Sequence, residues 1–158
     1  MKNLFRLTLT ALALLMLCLP LSAKDLRDAK GVSEALQKAV PTEFGYVDNS
    51  EYYMSSYFST LKDVDDFHIV TCADSTNFSE IGVFHLKDSA HLAHNQKLLK
   101  QYLTKIKANF ESGVVYNTKE YPKFENAKVF SKGNYLVYVV LNKAEALRAE
   151  KALEAAVQ

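Results

Sequence analysis

The sequence predicts an α+β domain with a four-stranded antiparallel sheet, formed by two ββα units and preceded by one or two N-terminal helices. From Phe67 onward, segments with strand and helix patterns follow in the order strand, strand, helix, strand, strand, helix. Short turns separate the two strands of each pair, which favours antiparallel hairpins. The 158 residues suit a single domain, and 49% hydrophobic with 23% charged residues is typical of a globular chain.

Residues 1–23 have the pattern of a secretory signal peptide. Lys2 and Arg6 give a positive start, residues 7–19 are an uncharged and mostly apolar run, and Ala23 is a small residue suited to cleavage. The run is shorter than the ~20 apolar residues that span a bilayer. We therefore expect cleavage after Ala23, with no transmembrane anchor afterwards.

The two cysteines indicate neither a disulfide framework nor a lipid anchor. A lipoprotein signal needs a small residue before its cysteine, whereas Leu17 precedes Cys18. Cys72 lies in an apolar strand pattern, so burial as a small hydrophobe is expected. The sequence thus predicts a single exported domain over residues 24–158, periplasmic or extracellular, without lipidation at Cys18.

The charge balance argues against a nucleic-acid partner. The whole chain carries a formal charge of +1, and removal of Lys2 and Arg6 leaves 17 basic against 18 acidic residues. Nucleic-acid binding depends on a strong positive field, which this balance does not supply. The expected partner is an envelope protein or a small ligand.

Two N-terminal helices are predicted before the sheet. Apolar residues recur at helical spacing and end at Pro41: Val32, Leu36 and Val40. Ser33 lies near the start of this helix, and residues 41–50 are rich in turn formers. Ser50 is the expected N-cap of a second short helix. We expect these helices to cover an edge of the sheet or part of the face opposite the two later helices.

The strands form two predicted hairpins. The first pairs Phe67–Ala73 with Glu80–Leu86, and the second pairs Ala127–Ser131 with Asn134–Leu141. The last strand is apolar at nearly every position, so both of its faces should be covered. An uncovered sheet face would leave open a homodimer.

One helix follows each hairpin, and we expect both on the same face of the sheet. The first begins at a cap on Asp88 or Ser89 and continues to about Phe110. The second begins after Asn142, and Glu145 three residues later completes the pattern of a capping box.

Several stretches together resemble domain-of-unknown-function family 4358, small exported bacterial proteins that are often lipoproteins. The first hairpin has the family's acidic residue, Ile and apolar strand ending in Phe, and the second has an aromatic residue after Gly-Asn: Glu80, Ile81, Val83, Phe84 and Tyr135. The resemblance covers roughly residues 30–157. It implies the α+β fold and export, and it implies no activity. The family's lipobox cysteine has no good counterpart here.

Three histidines form the candidate metal site. His91 and His94 share one face at the start of a helix, and His85 ends the strand before it. Imidazoles suit zinc, copper or nickel. The spacing matches no recognised zinc motif, so the alternative is that all three are surface residues.

Glu80 is the candidate acid. Paired with His68 or His85, it would be a general base in a small hydrolase. The alternative is a structural carboxylate that stabilises the hairpin. No nucleophile, phosphate-binding or dinucleotide motif accompanies it in the sequence.

The tyrosines offer a third kind of site, because they give rigid contact area with a polar end. Their alternative role is to fill the margin of the core in a chain without Trp. We predict a non-enzymatic binding domain without a cofactor, whose candidate contacts are Glu80, Tyr53, Tyr57 and Tyr135. The alternatives are metal binding through the three histidines and, third, a small hydrolase.

Overall fold

The computed structural model describes residues 28–114 and 117–157. The predicted signal peptide and Cys18 lie outside this range. The described elements are, in chain order, α1 (Ala29–Ala39), β1 (Tyr46–Asp48), α2 (Ser50–Tyr53), β2 (Val64–Cys72), β3 (Glu80–Leu86), α3 (Leu92–Asn109), α4 (Tyr121–Glu125), β4 (Lys128–Lys132), β5 (Tyr135–Val140) and α5 (Lys143–Ala156). Wider π-helical turns continue α2 over Met54–Phe58 and α3 over Phe110–Val114, and the 3-10 turn Thr118–Glu120 precedes α4.

The sheet is antiparallel, as predicted, but it has five strands in the order β1-β2-β3-β5-β4. The additional strand, β1, is only three residues long and lies in a region predicted as turns. It pairs along the edge of β2, from Tyr46 opposite Cys72 to Asp48 opposite Val70. Its backbone is therefore held by a partner distant in sequence, which a local pattern does not reveal.

The helices cover both faces of the sheet, so the prediction that α3 and α5 share one face is wrong. On one face, α1 packs against β2 and β3, and α5 packs against α1 and β4, in one buried cluster that includes Ile81 and Val83 of β3. On the other face, α3 packs against β4 and β5, in a second cluster that includes Phe84 and Leu86 of β3. Every residue of β5 is buried between these two layers. The chain itself therefore covers the apolar strand that left a homodimer open.

The predicted start of α5 and the predicted end of α3 near Phe110 agree with the structure, whereas the starts of α1 and α3 differ. Asn142 and Glu145 form the predicted capping box. Helix α1 is capped by Asp28, while Ser33 is buried inside the helix. Helix α3 begins only at Leu92, because residues before it form a turn. Within the described part of the chain, no helix is both long and apolar enough to cross a bilayer.

Ser50 is not the cap of α2. Asn49 occupies the N-cap position, and Ser50 is the first residue of the helix. Its hydroxyl oxygen accepts a hydrogen bond of 2.9 Å from the backbone N–H of Ile69 in β2. This bond attaches the first residue of α2 to β2.

Candidate functional site

The most unusual feature of the sheet is the close approach of Tyr138 to Gly82. These residues lie opposite each other on β5 and β3. A side chain at Gly82 would place its Cβ within 2.7 Å of three ring carbons of Tyr138. The missing side chain lets the ring lie across β3. The Tyr138 hydroxyl thereby reaches Glu80. Glu80 lies two residues before Gly82 on β3 and on the same face of the sheet.

Glu80 accepts hydrogen bonds from three tyrosine hydroxyls, each on a different element. Tyr53 of α2 donates to Oε2 at 3.2 Å, Tyr102 of α3 donates to Oε1 at 2.9 Å, and Tyr138 of β5 also donates to Oε1. A carboxylate has about four acceptor positions. One position on Oε2 therefore receives no hydrogen bond from the residues that the structure describes.

Burial controls the ionisation of this group. Glu80 is 7% exposed, and burial raises its pKa to about 7, although the three tyrosine hydrogen bonds act in the opposite direction. Burial and the neighbouring carboxylate raise the pKa values of Tyr53, Tyr102 and Tyr138. Glu80 therefore changes charge near neutral pH, while the tyrosines keep their protons.

A cavity of about 360 Å³ adjoins Glu80, and we name it the Glu80 pocket. Its described lining includes six aromatic rings: Tyr53, Tyr57, Phe78, Tyr102, Phe110 and Phe124. The charged residues of that lining are Glu80 and Asp74, and none of the described lining residues is Lys, Arg or His. The site therefore combines an aromatic wall with negative charge.

A buried ion pair holds one wall of the Glu80 pocket. Lys123 of α4 contacts Glu120 at 2.6 Å and donates to Asn77 Oδ1 at 2.5 Å. Glu120 also accepts from the backbone N–H of Phe78 at 2.9 Å. These bonds attach α4, and with it Phe124, to the turn between β2 and β3. The Lys123 charge is balanced by Glu120 outside the lining.

Three of the four predicted ligand contacts lie together. Glu80, Tyr53 and Tyr57 all line the Glu80 pocket. Tyr57 is 44% exposed, and its ring centroid is 5.4 Å from that of Tyr53. Tyr135 lies on the opposite face of the sheet, where its ring packs against His85 at 4.7 Å.

The structure does not bring the candidate metal ligands together. His85 faces Asp65 at 3.7 Å, and His91 pairs with Asp63 at 3.0 Å. His91 and His94 have ring centroids 6.5 Å apart. Over residues 28–114 and 117–157, no group of three or more His, Cys, Asp or Glu side chains is arranged to hold a metal ion.

Neither histidine proposed as a partner of Glu80 is next to it. His85 is an odd-numbered residue of the same strand and points to the opposite face from Glu80. His68 of β2 pairs instead with Asp48 at 3.4 Å. Tyrosine hydroxyls occupy the positions around the carboxyl that the hydrolase hypothesis assigned to a histidine.

Sequence reasoning missed Tyr102 and Tyr138 as site residues. Tyr102 follows the apolar stripe of α3, and Tyr138 lies in an apolar strand, so both resemble ordinary core residues. The available signal was Gly82, a glycine inside a strand that often marks close approach of another group. It identifies the position of the contact but not the tyrosine that makes it.

The described fold and site define a class: an α+β domain with helices on both sheet faces and a buried carboxyl at an aromatic pocket. The family model described as Domain of unknown function (DUF4358) matches residues 45–141. The chain belongs to this family. The matched range contains Glu80 and the three tyrosines that bind it. Neither a curated protein nor a solved structure matches the chain.

Proposed function

We propose that the chain is an exported, non-enzymatic binding domain and that the Glu80 pocket holds its ligand. The observation that carries this proposal is a buried carboxyl beside a cavity of about 360 Å³, with one acceptor position that no described residue fills. Ligand sites commonly combine an apolar wall with a few oriented polar groups. The cavity is at the small end of the usual range, which favours a small molecule over a polymer.

The chemistry of the tyrosines supports binding over proton transfer. Their pKa values are raised, so Tyr53, Tyr102 and Tyr138 hold their protons and act as fixed donors to Glu80. Fixed donors orient the carboxyl and leave Oε2 directed to one further partner. Such a preformed arrangement is what a binding site needs, because little ordering remains when the ligand arrives.

Export is the second part of the proposal, and its support is the pattern of residues 1–23. A positive start, a short apolar run and a small residue at position 23 are typical of a signal peptide. The ligand would then be met in the periplasm or outside the cell. Detection of purified native protein beginning at Lys24 in that compartment would support this part.

The binding role is tested by titrating the ¹⁵N-labelled protein with small cationic, neutral and anionic compounds. We expect at least one compound to shift the backbone amides of Tyr57, Cys72 and Phe78, which line the pocket. Tyr57→Ala should weaken the response, whereas Phe44→Ala, an exposed aromatic outside the pocket, should not. If no compound of any class moves these amides, the proposal is wrong.

A further inference from the structure

We propose that the ligand of the Glu80 pocket is a small organic cation, an amine or a quaternary ammonium compound. This inference rests on the proposed binding function and specifies the chemistry of its ligand. Three observations on the lining support it: the sign of its charges, the arrangement of its tyrosine rings and the acceptor position on Glu80 that no described residue fills.

The charges around the pocket favour a cation. Glu80 and Asp74 line the cavity, and no basic side chain is among its described lining residues. The nearby Lys123 is balanced by Glu120, which contacts it at 2.6 Å. An anionic ligand would meet two carboxylates and no basic side chain among the described lining residues. A cation would neutralise a buried charge that the pocket otherwise leaves poorly solvated.

The tyrosine rings favour an organic cation over a bare metal ion. Tyr53, Tyr57 and Tyr102 all line the pocket, with ring centroids 5.4 to 6.5 Å apart. Aromatic faces attract ammonium groups through the ring quadrupole, and groups of such rings recognise quaternary ammonium ligands. A metal ion would need several nitrogen or oxygen ligands, whereas these rings offer carbon surface that suits methyl or methylene groups.

The hydrogen bonds of Glu80 specify where the positive group would lie. Both bonds to Oε1 come from buried tyrosines, while among the described residues Tyr53 alone donates to Oε2, at 3.2 Å. An amine N–H would donate to the remaining position on Oε2. A quaternary ammonium would lie against the same oxygen without a hydrogen bond and would rely on charge and ring contact.

Binding should depend on pH because the cation attracts the ionised form of Glu80. Choline keeps its charge at all relevant pH values, so its affinity should rise as pH increases through about 7, where Glu80 ionises. The described titratable groups around Glu80 are Tyr53, Tyr57, Tyr102 and Tyr138, whose raised pKa values keep them neutral in this range. Cys72 and Asp74 also line the pocket, and hydrogen bonds to Thr76 hold the pKa of Asp74 below its usual range.

The test compares three compounds of similar shape and different charge by calorimetry and by amide shifts. They are choline, its neutral analogue 3,3-dimethylbutan-1-ol and the anion 3,3-dimethylbutanoate. We expect choline to bind about tenfold more tightly than the alcohol. Glu80→Gln should remove most of this preference, and Glu154→Gln, which removes an exposed carboxylate on α5, should leave it unchanged.

A second variant separates loss of the site from loss of the fold. Tyr57 is nearly half exposed, so Tyr57→Leu should leave the thermal transition nearly unchanged while it weakens choline binding. If the alcohol or the anion binds in the pocket at least as tightly as choline, the cation assignment is wrong and the binding function stands. If choline does not bind at all, the assignment is also wrong, and the wider compound series decides the binding function.

Discussion

The contact between Gly82 and Tyr138 accounts for both the glycine inside β3 and the hydrogen bond from Tyr138 to Glu80. Glycine in a strand weakens it by entropy, and an aromatic residue on the neighbouring strand can cover the exposed backbone. Here the covering ring also carries a hydroxyl to Glu80. Replacement of Gly82 by alanine would strengthen an isolated strand, but it should destabilise β3 in this protein.

Gly82→Ala should destabilise the protein by roughly 1–3 kcal/mol, because the new methyl group overlaps the Tyr138 ring. Urea unfolding of the variant measures this cost. In a Tyr138→Leu background the ring is absent, and Gly82→Ala should cost much less there. Equal costs in the two backgrounds would contradict the proposed contact.

Glu80 predicts a specific dependence of stability on pH. Its pKa is about 7 in the folded protein and near the ordinary 4.5 in the unfolded chain, so the folded state binds the proton more tightly. This contribution to stability is complete below about pH 4.5 and is lost as pH rises through about 7. The loss is on the order of 3 kcal/mol.

Glu80→Gln should remove this part of the pH dependence. Unfolding free energies measured from pH 4.5 to 8 should fall more steeply in the natural protein than in the variant. The comparison cancels other titrating groups, because both proteins share them. A variant whose stability changes with pH as steeply as the natural protein would contradict the raised pKa.

At the scale of elements, local chemistry predicts some boundaries well and others poorly. Strand β3 has the predicted bounds, Glu80–Leu86, because polar, turn-forming residues flank its apolar run on both sides. Helix α5 also begins where predicted, directly after its N-cap Asn142. By contrast β1 and α4 are three and five residues long and depend on distant contacts. Short windows carry too little periodicity to predict such elements.

The capping box of α5 supplies a quantitative test at this scale. Asn142 accepts from the N–H of Glu145 at 3.1 Å, and Glu145 accepts in return from the N–H of Asn142. Asn142→Ala should reduce stability by about 1 kcal/mol. In a Glu145→Ala background its cost should differ, because the two bonds form one unit; strictly additive effects would count against the reciprocal arrangement.

At the scale of the molecule, the two sheet faces have separate roles. Helices α1 and α5 cover one face with mainly aliphatic contacts, whereas the other face carries most of the buried aromatic residues and the Glu80 pocket. The order of elements along the chain predicts strand pairing within each hairpin. It does not reveal which face each helix covers, because either choice buries the same apolar stripes.

This division predicts that stability and binding can be changed independently. Leu36 of α1 is fully buried on the face covered by α1 and α5, so Leu36→Ala should cost about 2–5 kcal/mol. Leu147→Ala, at a residue 49% exposed on α5, should cost less than about 0.5 kcal/mol. Below its unfolding transition, the Leu36 variant should bind pocket ligands as the natural protein does; a large loss of affinity would contradict the separation of the two faces.

The candidate site could be predicted only in part for a related reason. Glu80, Tyr53 and Tyr57 were identifiable as polar or amphipathic residues near strand and helix starts. That these residues lie close together cannot be predicted without knowing that α2 and α3 cover the same sheet face. Residue type alone groups Tyr135 with them, but side chains alternate between the two faces along β5, so Tyr135 lies on the face opposite Tyr138.

The most direct test of the account is a pH titration of the Glu80 carboxyl carbon by ¹³C NMR. The residue is assigned by comparison with Glu80→Gln. We predict a midpoint near pH 7 in the ligand-free protein, because burial outweighs the three tyrosine hydrogen bonds. A midpoint near the ordinary 4.5 would mean that burial does not outweigh the tyrosine hydrogen bonds, and it would contradict the raised pKa on which the predicted pH dependence of stability and of choline binding depends.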